Sequence, residues 1–191
     1  MKTYKVKDSM VPLSEYTTIN QNSTLGEAVI CLKDLKQNSV HDHNIHRSLV
    51  VLDDTGQVVG KLSQLDLILG LEEGYRKIGD LKRVTHSGYD PKYIKAIIEK
   101  NRMWENPLDE ICRKALGIKV KDIMYTPTEG EYLDVNTSLD VAIHLLGMGR
   151  HQALLVTEKN QVVGILRLSD IFEVIDKSIQ KCRLNPRPGA A

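Results

Sequence analysis

The chain has 191 residues, 26 Lys and Arg against 25 Asp and Glu, a net charge of +1, and 41% hydrophobic residues. This is the composition of a globular chain forming one sizeable domain or two small ones with a shared core, and the charge balance argues against a dedicated nucleic-acid binder, which carries a basic excess. No run approaches the ~18–20 apolar residues of a membrane span, and the opening Met1-Lys-Thr-Tyr-Lys-Val-Lys7 lacks the apolar core of a signal peptide. Three well-separated cysteines (Cys31, Cys112 and Cys182) argue against a disulfide framework and for a reducing cytoplasm.

In chain order, Val6-Lys-Asp-Ser-Met10 comes first, followed by an extended piece at 17–19. Thr24 and Glu27 then fit a capping box, and Leu25, Ala28, Val29 and Leu32 repeat at helical spacing. Two short apolar runs, Ser48-Leu-Val-Val-Leu52 and Val58-Val-Gly-Lys-Leu62, flank the turn residues Asp53-Asp-Thr-Gly56 and predict a hairpin, with a helix from Ser63. The series then recurs. Val120-Lys-Asp-Ile-Met124 stands 114 residues after the first motif, Ser138-Leu-Asp-Val-Ala142 answers Thr24-Leu-Gly-Glu-Ala28 at the same offset, and Gln161-Val-Val-Gly164 and Asp170 follow Gln57-Val-Val-Gly60 and Asp66 by 104. The change of offset puts ten extra residues in the first copy, between Lys33 and Arg47.

Shared order with one indel marks a duplication. The expected fold is α/β (α+β): two β-α-β-β-α repeats, 4–71 and 118–182, packed about a pseudo-twofold axis with a cleft between them. In the second copy the extended piece is 132–135 and the last helix is expected from Ser169. Between the copies, 72–117 predicts a helical insert, because Asp90-Pro91 and Asn106-Pro107 each place a capping residue before Pro at a first helical position. One insert helix is expected to be lined by Ile94, Ile97 and Ile98. The other is expected to be lined by Leu108, Ile111, Cys112, Ala115 and Leu116, with Gly117 as its stop. Trp104, Met103 and Tyr93 are expected to close a small satellite core, and 183–191 is expected to be a disordered tail.

These residues resemble the cystathionine-beta-synthase (CBS) domain family, as a tandem pair or Bateman module. The resemblance rests on Val-Lys-Asp-x-Met opening each copy, the Thr/Ser-Leu-x-x-Ala helix start, and Gly followed six residues later by Asp. It implies a regulatory, non-catalytic module that binds an adenosine-containing ligand (AMP, ADP, ATP or S-adenosylmethionine), requires no cofactor, dimerises through its repeats and signals to a partner protein. Energy sensing in the cytoplasm, without membrane or nucleic acid, is the expected setting. Gly60-Lys-Leu-Ser-Gln-Leu-Asp66 matches the family pattern Gly-h-x-Ser/Thr-x-x-Asp at its Gly, Ser and Asp. The match implies that Asp66 accepts from the ribose hydroxyls and that Ser63 faces the α-phosphate. An ionised carboxylate is acceptor-only, and a Ser at a helix start stands beside free N–H groups. The same residues also make a plain capping box.

Gly164-Ile-Leu-Arg-Leu-Ser-Asp170 keeps the Asp but has Arg167 at the Ser/Thr position, where it either clamps a phosphate or fills the pocket. His46-Arg47 and Arg150-His151 precede the apolar strand of each copy. His46-Arg47-Ser-Leu-Val-Val-Leu-Asp53 is similar to the stretch of the AMP-activated kinase gamma subunit that reaches nucleotide phosphates; a solvated edge pair is the alternative. Thr18 and Tyr132 fall where the family touches adenine. His41, His43 and His46 alternate in a way that could approach a three-ligand metal set, although polar loops containing His are commoner. No nucleophile elbow, Walker loop or dinucleotide-binding glycine motif is present, which argues against an enzyme. Two alternatives to ligand sensing remain: a scaffold with degenerate pockets acting through the insert, and a nucleic-acid-binding CBS protein.

Overall fold

Local sequence chemistry sets the elements, and the turn closing each hairpin is a clear case. In the computed structural model, which describes residues 3–38, 48–72, 74–75, 91–105 and 107–184, β3 (Ser48–Leu52) pairs antiparallel with β4 (Val58–Ser63). The Asp53 carboxylate accepts from the backbone of Thr55 and Gln57, while Gly56 takes φ +81°, a conformation costly for residues with a Cβ. In the second copy β6 (Ala153–Glu158) and β7 (Gln161–Arg167) are joined by two residues only, Lys159 and Asn160, at φ +50° and +64°. Both central residues lying left-handed is the signature of a type I′ turn.

β2 (Thr18–Asn20), α1 (Leu25–Asn38), β3, β4 and α2 (Gln64–Leu71) form the first β-α-β-β-α series. β5 (Tyr132–Asp134), α5 (Leu139–Gly149), β6, β7 and α6 (Leu168–Leu184) form the second. The expected capping box at α1 is present: the Thr24 N–H donates to Glu27 Oε2 at 2.6 Å and the Glu27 N–H donates to Thr24 Oγ1 at 3.3 Å. α6 opens at Leu168, one residue earlier than expected, because Arg167 occupies the cap position that Ser63 holds before α2. It runs through Leu184, two residues into the expected tail; 185–191 lie outside the described residues.

The chain divides into two compact units whose limits differ from those of the repeats. One contains Met1–Tyr16 with Pro127–Ala191, the other Thr17–Thr126. Each copy's opening motif thus belongs to the unit built by the other copy. The Val6 and Lys7 N–H groups donate to Thr137 and Val135 carbonyls, and the Leu139 N–H donates to the Tyr4 carbonyl. At an offset of 114, Val120 and Lys121 donate to Ser23 and Gln21, and Leu25 donates to Ile118. Asp8 and Asp122 fix the motif's 3-10 turn by accepting from the Lys5 and Lys119 N–H groups.

Val6 is fully buried with Leu139, Ala142, Leu154 and Leu166, and Val120 is fully buried with Leu25, Ala28, Leu49 and Leu62. The repeated glycines are explained by the same exchange. A Cβ on Gly60 would lie 2.7 Å from Met124 Sδ and 2.9 Å from the Tyr125 carbonyl oxygen. One on Gly164 would lie 2.9 Å from Met10 Sδ and 2.7 Å from the Val11 carbonyl oxygen. After the motif, β1 (Val11–Pro12) pairs with β7 to give the sheet β1-β7-β6-β5, while the other sheet is β2-β3-β4 with a single bridge from Tyr125 to Lys61.

In the insert, α3 (Pro91–Asn101) and α4 (Leu108–Ala115) are helical. Pro107 stands at the N-cap position of α4 rather than at its first helical position as expected, and makes no side-chain cap; Asp90 and Asn106 lie outside the described residues. The expected apolar lining holds only in part. Ile111 is buried and Ala115 half-buried, whereas Cys112 and Leu116 are exposed, as is Ile98. α4 ends at Ala115, and the Gly117 N–H donates to the Lys114 carbonyl at 3.0 Å. Met103 is buried, and Trp104, partly exposed, donates from its indole to Tyr75 Oη and from its backbone to Glu72 Oε2. The side chains of Tyr93, Ile94 and Leu108 lie outside the described residues. No described helix is long and apolar enough to cross a membrane.

Candidate functional site

Strand register collects the predicted residues at one end of each repeat's sheet. β2 runs parallel to β3 with Thr18 opposite Val50, and β4 returns with Ser63 opposite Ser48. The starts of β2 and β3 therefore meet the end of β4, from which α2 departs carrying Asp66. In the other unit Tyr132 lies opposite Leu155 and Arg167 opposite Ala153, and α6 departs carrying Asp170. Thr18 is exposed and Tyr132 partly so; burial and then the Glu131 charge push the Tyr132 phenol up. His41, His43, His46 and Arg47 lie outside the described residues. No cluster of metal-ligating side chains occurs among the described residues.

Ser63 and Asp66 form a complete capping box. The Ser63 N–H and Oγ–H donate to Asp66 Oδ2 at 2.8 and 2.6 Å, and the Asp66 N–H donates to Ser63 Oγ at 3.2 Å. A carboxylate has about four acceptor positions, and these bonds occupy two on one oxygen. Among the described residues, Asp66 Oδ1 accepts no hydrogen bond. Asp66 is half-buried, and its Oδ1 does not count among the fully buried side-chain atoms that lack a partner.

The equivalent position in the second copy is occupied by its own cation. Arg167 donates from its backbone N–H to Asp170 Oδ2 at 2.8 Å and from Nε to both carboxylate oxygens at 3.0 Å, while Nη2 contacts Oδ1. The side chains are 13% and 8% exposed. Burial alone would lower the guanidinium pKa; the hydrogen bonds and charge of Asp170, with smaller contributions from Tyr16 and Glu173, outweigh it and raise it. Both Asp170 oxygens are thus engaged within the protein.

Arg150 and His151 do other local work as well. Arg150 ends α5 in the left-handed conformation, φ +50°, and is exposed. The His151 N–H donates to the Leu146 carbonyl, and its Nδ1 lies 3.8 Å from Oε2 of Glu131, which is 1% exposed. Sequence reading missed Glu131 and also Tyr16, whose buried phenol feels the charges of Arg167 and Asp170. Burial is the main cause of its raised pKa. Tyr16 has no counterpart in the repeat, since Gly130 stands at the matching place, so only the exchanged opening segment reveals it.

The sequence profile described as CBS domain matches residues 6–73 and 120–177. A search of curated protein sequences found no match. Solved structures share the fold. CBSX2 in complex with AMP, a protein also solved from Arabidopsis thaliana, aligns with TM-score 0.58 at 20% identity over 92% of this chain and 98% of that one. The CBS domain of a bacterial CNNM/CorC family Mg2+ transporter in complex with ATP aligns with TM-score 0.59 at 16% identity over 92% and 89%. A CBS domain-containing protein of unknown function from Bacillus anthracis aligns with TM-score 0.61 at 16% identity over 92% and 95%.

Proposed function

The chain belongs to the CBS-domain family, with two tandem copies, and on that premise we propose that it is a regulatory, non-catalytic module that binds an adenosine nucleotide in its first copy and signals its occupancy to a partner protein. The observation that carries this reading is the open Oδ1 of Asp66, on a carboxylate already oriented by Ser63 at the end of the β2-β3-β4 sheet. A ribose presents two vicinal hydroxyl donors, and Asp66 has the acceptor capacity for them. The first N–H groups of α2 are suited to a neighbouring phosphate, which Ser63 reaches once its hydroxyl proton turns from Asp66, and Thr18 is suited to the base at the start of β2. The nucleotide complexes of two similar folds support the choice of ligand class. Isothermal titration with AMP, ADP, ATP and S-adenosylmethionine tests it. At least one should bind, and Asp66→Ala should weaken it tenfold or more in a folded protein; unchanged affinity removes the site.

A homodimer in the cytoplasm completes the reading. Leu168, Phe172, Ile175 and Ile179 are exposed along α6, and Cys182 continues the line, at alternating steps of four and three residues. That spacing is the a/d seam of a helix that pairs with another helix, and a second copy supplies the same seam. Phe172→Glu with Ile179→Glu should give a monomer by sedimentation; an unchanged mass excludes α6. Three unpaired cysteines fit a reducing compartment.

A further inference from the structure

In the second copy the cation–carboxylate pair stands where the first copy has an accessible acceptor. We propose that Arg167 is the specificity-determining residue of that copy: by engaging both oxygens of Asp170 it closes the copy to a sugar diol, so that each chain takes one adenosine nucleotide, at Asp66. The inference rests on the nucleotide reading above and adds its stoichiometry and the residue that sets it.

Three observations carry it. First, the four Arg167 contacts match the roughly four acceptor positions of a carboxylate, leaving no lone pair for two hydroxyls. Second, the pair is nearly buried, so a ligand must pull it apart rather than compete with water for it. Separating a buried pair strands a desolvated charge, which hydroxyl groups, being neutral, do not compensate. Third, the buried ring of Tyr16 lies close enough to feel both charges, and Asp66 has no equivalent of this arrangement among its hydrogen bonds. Arg167 also occupies the position of Ser63. Arg167→Ser therefore recreates the Ser-x-x-Asp box of the first copy.

The full chain is titrated with AMP, ADP and ATP by calorimetry, with stoichiometry read by native mass spectrometry, for wild type, Asp66→Ala, Arg167→Ser and the double variant. Wild type should bind one nucleotide, Asp66→Ala none, Arg167→Ser two and the double variant one. Arg167→Thr serves equally where the Ser variant folds poorly. The ion pair is read without ligand as slow solvent exchange of the Arg167 Nε–H by NMR. Two nucleotides on wild type, one on Arg167→Ser, or rapid exchange of that proton would overturn the lock while leaving Asp66 intact. Absence of binding to both wild type and Arg167→Ser would instead overturn the nucleotide reading, and this inference with it.

Discussion

The duplicated motif Gly-x-x-x-x-x-Asp produces two different electrostatic outcomes. In the first copy Ser63, neutral and short, satisfies one oxygen of a half-buried carboxylate and leaves the other without a hydrogen bond among the described residues; in the second Arg167 satisfies both oxygens of a carboxylate that is nearly buried. One residue at a helix cap therefore decides whether an acid is offered outward or spent on the fold. The difference teaches that matching a repeat's acid does not by itself match its availability.

The sharpest way to break this contrast is to delete each acid. Asp170→Ala strands a nearly buried guanidinium and should cost about 3 kcal/mol, whereas Asp66→Ala loses capping contacts worth about 1 kcal/mol. Chemical denaturation of both variants would measure the gap, and equal losses would dissolve the distinction. Next come the glycines that both copies share. Gly60→Ala and Gly164→Ala each force a Cβ against a carbonyl and a Met sulfur, so each should lose about 2 kcal/mol, and to a similar extent.

Ser63→Ala should then cost about 1 kcal/mol and weaken nucleotide binding, which thermal midpoints with and without AMP would separate. The smallest effect concerns the hairpin turns. Asp53 is held below the ordinary carboxylate range, first by the Thr55 hydroxyl and then by the Gln57 N–H. Its contribution is complete above the unfolded-chain value and is lost as pH falls through the lower folded one. The second hairpin turns on Lys159 and Asn160 instead. Amides of β3 and β4 should therefore lose exchange protection in acid before those of β6 and β7.

Much of the fold was legible because it depends on contacts close in sequence. The Thr24–Glu27 box, both hairpins and the two β-α-β-β-α series follow from periodicity and turn chemistry. The Ser63–Asp66 capping box was legible for the same reason, its members being three residues apart on one helix start. The exchange of opening segments was not, since the pattern of Val6 and Val120 is the same whichever copy they pack against. That concealed Tyr16, which meets Arg167 only through the exchange. The sequence left Arg167 either to clamp a phosphate or to fill the pocket; its pairing with Asp170 was in neither reading, because spacing alone does not show which neighbour a long cation turns toward. Cys112, Leu116 and Ile98 failed as insert core because a short helix shows helical spacing whether or not a partner covers it.

The traded opening segments make the chain inseparable at its midpoint. Severed there, each fragment carries a loose end whose berth lies on the other fragment, together with an empty berth of its own. Neither piece made alone has a complete interior, yet the two mixed hold everything required to reassemble. The polypeptide behaves like a clasp with two hooks, and its halves are suited to reporting, by complementation, whether two other proteins have been brought together.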